Sequence, residues 1–131
     1  MEPNEVNFVD CRQCVCTAAR RRSRELTRAF ERAMRGSGLR VTQFTLLATL
    51  VQTGPLPTTR LADFLGLERT TLTRNLRPLI RDGLVRVDAG DDRRVHKVAI
   101  TSTGEEAARR VFPFWRKAQD AALAGKPPSG P

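Results

Sequence analysis

A chain of 131 residues with 40% hydrophobic side chains can bury one core and amounts to about one domain. Its formal charge of +9 and sequence pI of about 11.1 point to a polyanionic partner. No apolar run reaches the roughly 18–20 residues of a membrane span, and the acidic, polar N-terminus does not resemble a secretory signal.

The charge is unevenly placed. Residues 11–40 carry nine basic and two acidic side chains, whereas residues 58–101 carry nine and six. Every basic residue except Lys97, Lys117 and Lys126 is Arg, whose planar forks match phosphates and guanine edges. A GC-rich genome would give the same bias. Cys11, Cys14 and Cys16 crowd into six positions with no fourth thiol in the chain. That is no disulfide framework, and it fits a reduced cytoplasm.

Along the chain, residues 1–10 read as a flexible leader and 125–131 as a disordered Pro/Gly tail, leaving 11–124 as one domain. A first helix is expected over 14–35, with Val15, Ala19, Leu26, Phe30 and Ala33 as its apolar stripe and Gly36-Ser37-Gly38 ending it. A second, over 42–53, is too apolar for a surface element and reads as the central buried helix, through Phe44, Leu46, Leu47, Leu50 and Val51. Gly54-Pro55-Leu56-Pro57 breaks it. A short third helix runs from Thr58, as its N-cap, to Gly66, and a fourth covers 68–82. Residues 84–87 and 95–100 read as two strands joined by a polar turn. Ser102-Thr103-Gly104-Glu105 has capping-box spacing and opens a fifth helix over 102–124, which Pro113 should kink or split. The fold class is therefore mainly α with a small β-hairpin.

The fourth helix carries the most chemistry. Taking Leu72 as origin, at about 100° per residue, Leu76, Leu79 and Ile80 fall in a narrow apolar arc. Thr70, Arg74, Arg77 and Arg81 fall opposite, with Thr71 and Thr73 on the flanks. Alone, this reads equally well as a solvated amphipathic face. The preceding Leu61, Ala62, Leu65 and Gly66-Leu67 add a second short helix and a tight turn, which makes a helix-turn-helix. Its second helix can enter a major groove, so Arg69, Thr70, Thr71, Thr73, Arg74 and Arg77 are candidate DNA contacts. Pro78 should bend the last turn and leave the N-terminal half intact.

The turn after it has the look of a wing. Asp92 and Arg94, two positions apart, can pair and stiffen the loop over 88–95, while Arg93 or Arg94 projects into a minor groove, whose potential draws Arg. The competing reading is an ordinary charged hairpin with a surface ion pair worth little. Its position one strand after a helix-turn-helix favours the wing, with reading head and wing together spanning 58–101.

These segments resemble the MarR family of bacterial transcription regulators. The resemblance rests on Asp92-Arg93-Arg94, Val95 to Ala99, and Ile100-Thr101-Ser102-Thr103-Gly104, where the family has Leu-Thr, two residues and Gly. It extends to Leu67-Glu68-Arg69-Thr70-Thr71-Leu72-Thr73-Arg74-Asn75-Leu76, to Asp82-Gly83-Leu84-Val85 and to Val41-Thr42-Gln43-Phe44-Thr45-Leu46-Leu47. In all it covers about residues 14–122. It implies a winged helix-turn-helix flanked by N- and C-terminal dimerisation helices, a homodimer on double-stranded DNA bearing an inverted repeat, most often as a repressor. It also implies that Arg94 enters the minor groove with Asp92 as its partner. Family members usually add a sixth helix to the dimer interface. Here residues 125–131 read Gly-Lys-Pro-Pro-Ser-Gly-Pro, so dimerisation is expected to rest on helices one and five, through Phe112, Phe114, Trp115 and Leu123. The family often has an effector cleft, so a small-molecule effector joins the expected partners, although no residue identifies it.

The cysteines keep three readings open. They are inert thiols, or a redox switch favoured by a helix N-terminus and nearby Arg12, or a Zn or Cu(I) site short of a fourth ligand. His96, the sole His, reads as a strand residue. No cofactor and no resident metal are expected. With one His and no Tyr, an enzyme is a poor reading. The rival to a sequence reader is a nonspecific basic DNA binder or a protein-interaction winged helix, kept alive by the positive first helix.

Overall fold

Five helices and three short strands follow one another along residues 5–89 and 96–125, the part of the chain that the computed structural model describes. After a 3-10 helix, Phe8–Gln13, come α1 (Val15–Ala33), α2 (Val41–Thr53), β1 (Leu56–Pro57), α3 (Thr58–Leu65), α4 (Arg69–Arg81), β2 (Val85–Ala89), β3 (His96–Ile100) and α5 (Ser102–Leu123). The leader expected over 1–10 thus runs into the first half of the 3-10 helix. No helix among the described residues is long and apolar enough to cross a membrane.

α2 is the axis of the core. Phe44, Leu46, Leu47 and Leu50 are buried on it, and Thr49 joins them because its hydroxyl donates to the Thr45 carbonyl at 2.8 Å. A buried hydroxyl left without such a partner would cost about 1–3 kcal/mol. Leu61 and Ala62 of α3, Leu72, Leu76 and Leu79 of α4, Val85 and Val98 of the sheet, and Ala107, Ala108 and Val111 of α5 complete the cluster. Val51, expected in the core, is 45% exposed at the end of α2. α1 differs in kind. It has no buried residue, and its expected stripe is at most half-buried, with Val15 81% exposed.

The sheet has the order β1-β3-β2, antiparallel throughout. β2 and β3 pair from Val85↔Ile100 to Ala89↔His96, and Leu56 and Pro57 pair with Val98 and Lys97 on the other edge. That third strand falls where a helix breaker was expected. Two prolines hold this stretch extended, and Pro57, which has no N–H to give to a ladder, sits on an edge strand where proline is tolerated.

Two caps also differ from the sequence pattern. Pro57, not Thr58, precedes α3, and no side chain caps it. At α5 the cap is Thr101, not Ser102: its Oγ1 accepts from Gly104 N at 3.0 Å and donates to the Gly83 carbonyl at 2.6 Å. Glu105 pairs with Arg109 instead of closing a capping box. Pro113 does not split α5, and α4 continues through Pro78 to Arg81.

Glycine is required at two places. Gly66 ends α3 in the left-handed region, at φ 66°, where its N–H and that of Leu67 both turn back to the Ala62 carbonyl. Gly104 is buried in the first turn of α5, where a Cβ would overlap the Leu84 carbonyl oxygen and crowd Ile100 Cγ1 at 2.9 Å. Backbone cannot swing aside as a side chain can. Gly104→Ala should therefore lower the unfolding free energy by about 2–3 kcal/mol, read as a lower urea midpoint under reducing conditions; an unchanged midpoint would mean that α5 can slide away from the α4–β2 turn.

Candidate nucleic-acid interface

α4 is held from below and at both ends, and open above. Leu72, Leu76 and Leu79 seat it on the core, the Gly66 turn positions its start, and Leu84 N bonds to the Leu79 carbonyl at 2.8 Å past its end. The opposite face is the predicted one: Arg69, Thr70, Thr73, Arg74 and Arg77 are exposed and Thr71 is half-buried. Ile80, placed with the leucines by its angle, is 44% exposed at the last turn. Among the described residues Arg69, Arg74 and Arg77 have no ion-pair partner, whereas Arg81 pairs with Asp82 at 3.2 Å. Three unpaired guanidiniums on a rigid helix are a surface prepared for an anion. Thr73 has its hydroxyl bonded to the Arg69 carbonyl, which leaves its oxygen free to accept and its methyl to make apolar contact.

One fixture of this face leaves no local signal in the sequence. Thr42 Oγ1 in the first turn of α2 donates to Asn75 Oδ1 at 2.9 Å, while Asn75 Nδ2 donates to the Thr71 carbonyl. This locks α4 sideways against the start of α2, between the exposed Arg74 and the half-buried Thr71. Nothing local signals it, because the two residues lie 33 positions apart.

The base of the expected wing is the β2–β3 hairpin. Ala89↔His96 and Asp88↔Lys97 pair at its foot, and Arg86 Nε lies 3.1 Å from Asp88 Oδ2. Asp92, Arg93 and Arg94 lie outside the described residues. His96 is exposed on β3.

Cys11, Cys14 and Cys16 are all exposed and free. Cys14 is the N-cap of α1, and its thiol is held below the ordinary thiol value by the backbone N–H of Thr17, then by the Thr17 hydroxyl and the Cys16 N–H. Of the two causes expected from sequence, the helix start is the one at work, and Arg12 is not among the groups that lower the thiol. Arg20 Nη2 approaches Cys16 Sγ at 3.9 Å. Among the described residues no group of three or more His, Cys, Asp or Glu side chains is arranged to hold a metal.

Phe112, Phe114 and Leu123 stand exposed on α5, as a dimer seam would need, but Trp115 does not join them. It is half-buried against Phe44 at 5.8 Å between ring centroids, with the Arg116 guanidinium 5.1 Å above it. Beside it, a mostly apolar cavity of about 570 Å³ opens between α2 and α5, lined by Phe44, Ala48, Val51, Ala108 and Phe112 with the Glu105–Arg109 pair on its rim. Its size suits a small organic molecule.

The model of the MarR family matches residues 39–96. The structure of the M. tuberculosis transcriptional regulator MosR in complex with DNA is 44% identical, at a TM-score of 0.75 over 85% of this chain and 81% of that one. A second MosR structure is 42% identical, at 0.77 over 86% and 82%. A probable transcriptional regulator from Pseudomonas aeruginosa is 25% identical, at 0.74 over 86% and 84%. No curated protein matches the chain.

The thiol geometry makes a direct prediction. Cys14 should alkylate with iodoacetamide ahead of Cys11 and Cys16, with a rate-versus-pH midpoint below that of an ordinary thiol, because the folded helix start favours its thiolate. Mass mapping of the first modified site checks it. Equal rates at all three thiols would remove the special standing of Cys14.

Proposed function

The chain belongs to the MarR family, and from that premise we propose that it is a dimeric, sequence-specific DNA-binding regulator of transcription, most simply a repressor. The observation that carries this reading is the α4 face, with three guanidiniums that have no ion-pair partner among the described residues and a row of threonines, on a helix fixed from beneath. In this reading α4 lies in the major groove, with Arg74 and Arg77 reaching base edges or phosphates and Arg69, Thr70, Thr71 and Thr73 setting the approach. The wing follows in the minor groove through Arg93 and Arg94, with Asp92 bracing the turn. The second protomer docks on α1 and α5, where Val15, Phe112, Phe114 and Leu123 are exposed. The relative MosR, a transcriptional regulator whose structure holds DNA, supports the same use of this fold. The reading assigns no catalysis, and it places the protein in the cytoplasm, where thiols stay reduced.

Control by oxidation is favoured by one specific observation. The thiol held toward thiolate, Cys14, is flanked by two exposed thiols in the same stretch. Peroxide would oxidise the Cys14 thiolate to the sulfenic acid. A neighbouring thiol would then displace water and close a disulfide. Either product alters the start of α1, an element of the proposed dimer.

Selection of bound duplexes from a random library, under reducing conditions, tests the function. The expected product is an inverted repeat with half-sites about one helical turn apart; retention without enrichment would favour a nonspecific basic binder. On the selected site Arg74→Ala should cost about 1–3 kcal/mol and relax one base position, whereas equal losses on every sequence would demote Arg74 to a phosphate contact. Mild peroxide should weaken binding of the wild type reversibly and leave Cys14→Ser unaffected. Undiminished binding with the thiols verified as oxidised would remove the switch.

A further inference from the structure

The largest excess of positive charge lies away from the reading helix, and the structure gives it a shape. At the end of α1 an open groove of about 690 Å³ is walled by Arg28, Arg32, Arg35 and Arg40, with Glu31 as its one acid. Arg28 and Arg32 are one turn apart on α1, Arg35 follows its C-cap Met34, and Arg40 is the N-cap of α2. Glu31 is already engaged. Its Oε1 accepts from Val41 N at 2.8 Å and its Oε2 lies 4.0 Å from Arg40 Nε. Arg28, Arg32 and Arg35 are exposed and have no acidic partner among the described residues. A cation in the last turn of a helix is favoured by the helix dipole, which accounts for Arg32. It does not account for four guanidiniums converging on one groove.

The groove lies close in the chain to the residue that braces the reading helix. Its far wall, Arg40, is followed two residues later by Thr42, which bonds to Asn75 beside Arg74 on α4. Within the first turn of α2 the chain thus passes from a residue that lines the groove to one that touches the helix proposed to enter the major groove. A duplex is a rod of regularly spaced phosphates that extends beyond the helix filling its groove and can meet several guanidiniums at once, whereas a small anion needs only one or two.

We propose that this groove holds the phosphodiester backbone of the same duplex, outside the half-site read by α4, so that α1 supplies sequence-independent affinity and α4 the sequence preference. The proposal rests on the DNA-binding reading above. It also explains why the charge excess of the first helix is compatible with a specific regulator, since backbone contacts position a protein while base contacts specify.

The test compares wild type with Arg32→Gln/Arg35→Gln, two exposed positions away from α4. Affinity is measured across a salt series on the selected site, in a duplex with long flanks and in one trimmed to the inverted repeat. Each lost phosphate contact lowers the slope of log K against log salt by about 0.9. The double variant should therefore show a slope shallower by about 1–2 per protomer on the long duplex. It should select the same sequence as wild type, and Arg32→Lys/Arg35→Lys should restore most of the slope. Trimming the flanks should weaken wild type and leave the Gln variant unaffected. An equal slope and equal flank dependence in both proteins would overturn the groove assignment while leaving the sequence reader intact. So would stabilisation of wild type alone by inorganic phosphate with an unchanged DNA slope, which would assign the groove to a small anion. A wild type that enriches no sequence would instead defeat the reading beneath it. Matching urea midpoints confirm that the variants fold, and Arg28→Gln/Arg32→Gln serves as the second pair if they differ.

Discussion

Everything above the core depends on the backbone-to-backbone joint between α5 and the end of α4. Gly104 sits directly against the Leu84 carbonyl, the Thr101 hydroxyl joins the Gly83 carbonyl to the Gly104 N–H, and Thr101 N bonds to the Leu84 carbonyl at 3.1 Å. Leu84 N returns to Leu79 on α4. No rotatable side chain beyond the short Thr101 intervenes. The exit of the reading helix and the entry of the long C-terminal helix are thus one rigid unit. In a dimer built on α1 and α5, this joint sets the distance and angle between two copies of α4, and any shift of α5 is passed to the reading face without slack.

Electrostatics is divided by place. Where Arg side chains meet acids, as in Arg22–Glu25, Arg86–Asp88, Arg109–Glu105 and Arg116–Asp120, the pairs are exposed and add little stability. Among the described residues, Arg69, Arg74 and Arg77 on α4 and Arg28, Arg32 and Arg35 along the groove at the end of α1 are six of the guanidiniums that have no acidic partner. Folding therefore draws on apolar burial around α2, while the unpaired charge remains available to an external polyanion. Salt should accordingly affect binding much more than folding.

The start of α1 is chemically exposed for a related reason. α1 buries no residue of its own, so a modification at Cys14 disturbs little of the core. The thiol stands where an N-cap usually has a hydroxyl or carboxylate and makes no cap hydrogen bond of its own, yet the Thr17 N–H, the Thr17 hydroxyl and the Cys16 N–H lie where they favour its thiolate. Reactivity and low structural cost coincide at one end of one helix.

Much of this architecture was legible in the residues. The spacing of Leu72, Leu76 and Leu79 and the glycine at position 66 located the helix-turn-helix, and the unbroken apolar run through Phe44 to Leu50 marked the central helix. The failures share a cause. Leu56-Pro57 is too short to show a period, and only pairing with β3 makes it a strand. Thr101 and Ser102 are equally good caps by type, and the position of the Gly83 carbonyl, eighteen residues earlier, chooses between them. Ile80 and Val51 lie near the expected angles, but no neighbouring element covers them. The sequence by itself determined which segments are helical, where they stop and which face of α4 is polar, because those properties depend on residues a few positions apart. Only the tertiary structure decided that Thr42 braces Asn75, that Gly104 meets Leu84 and that four arginines share a groove, because these depend on distances between segments that the chain brings together only when α2 is buried.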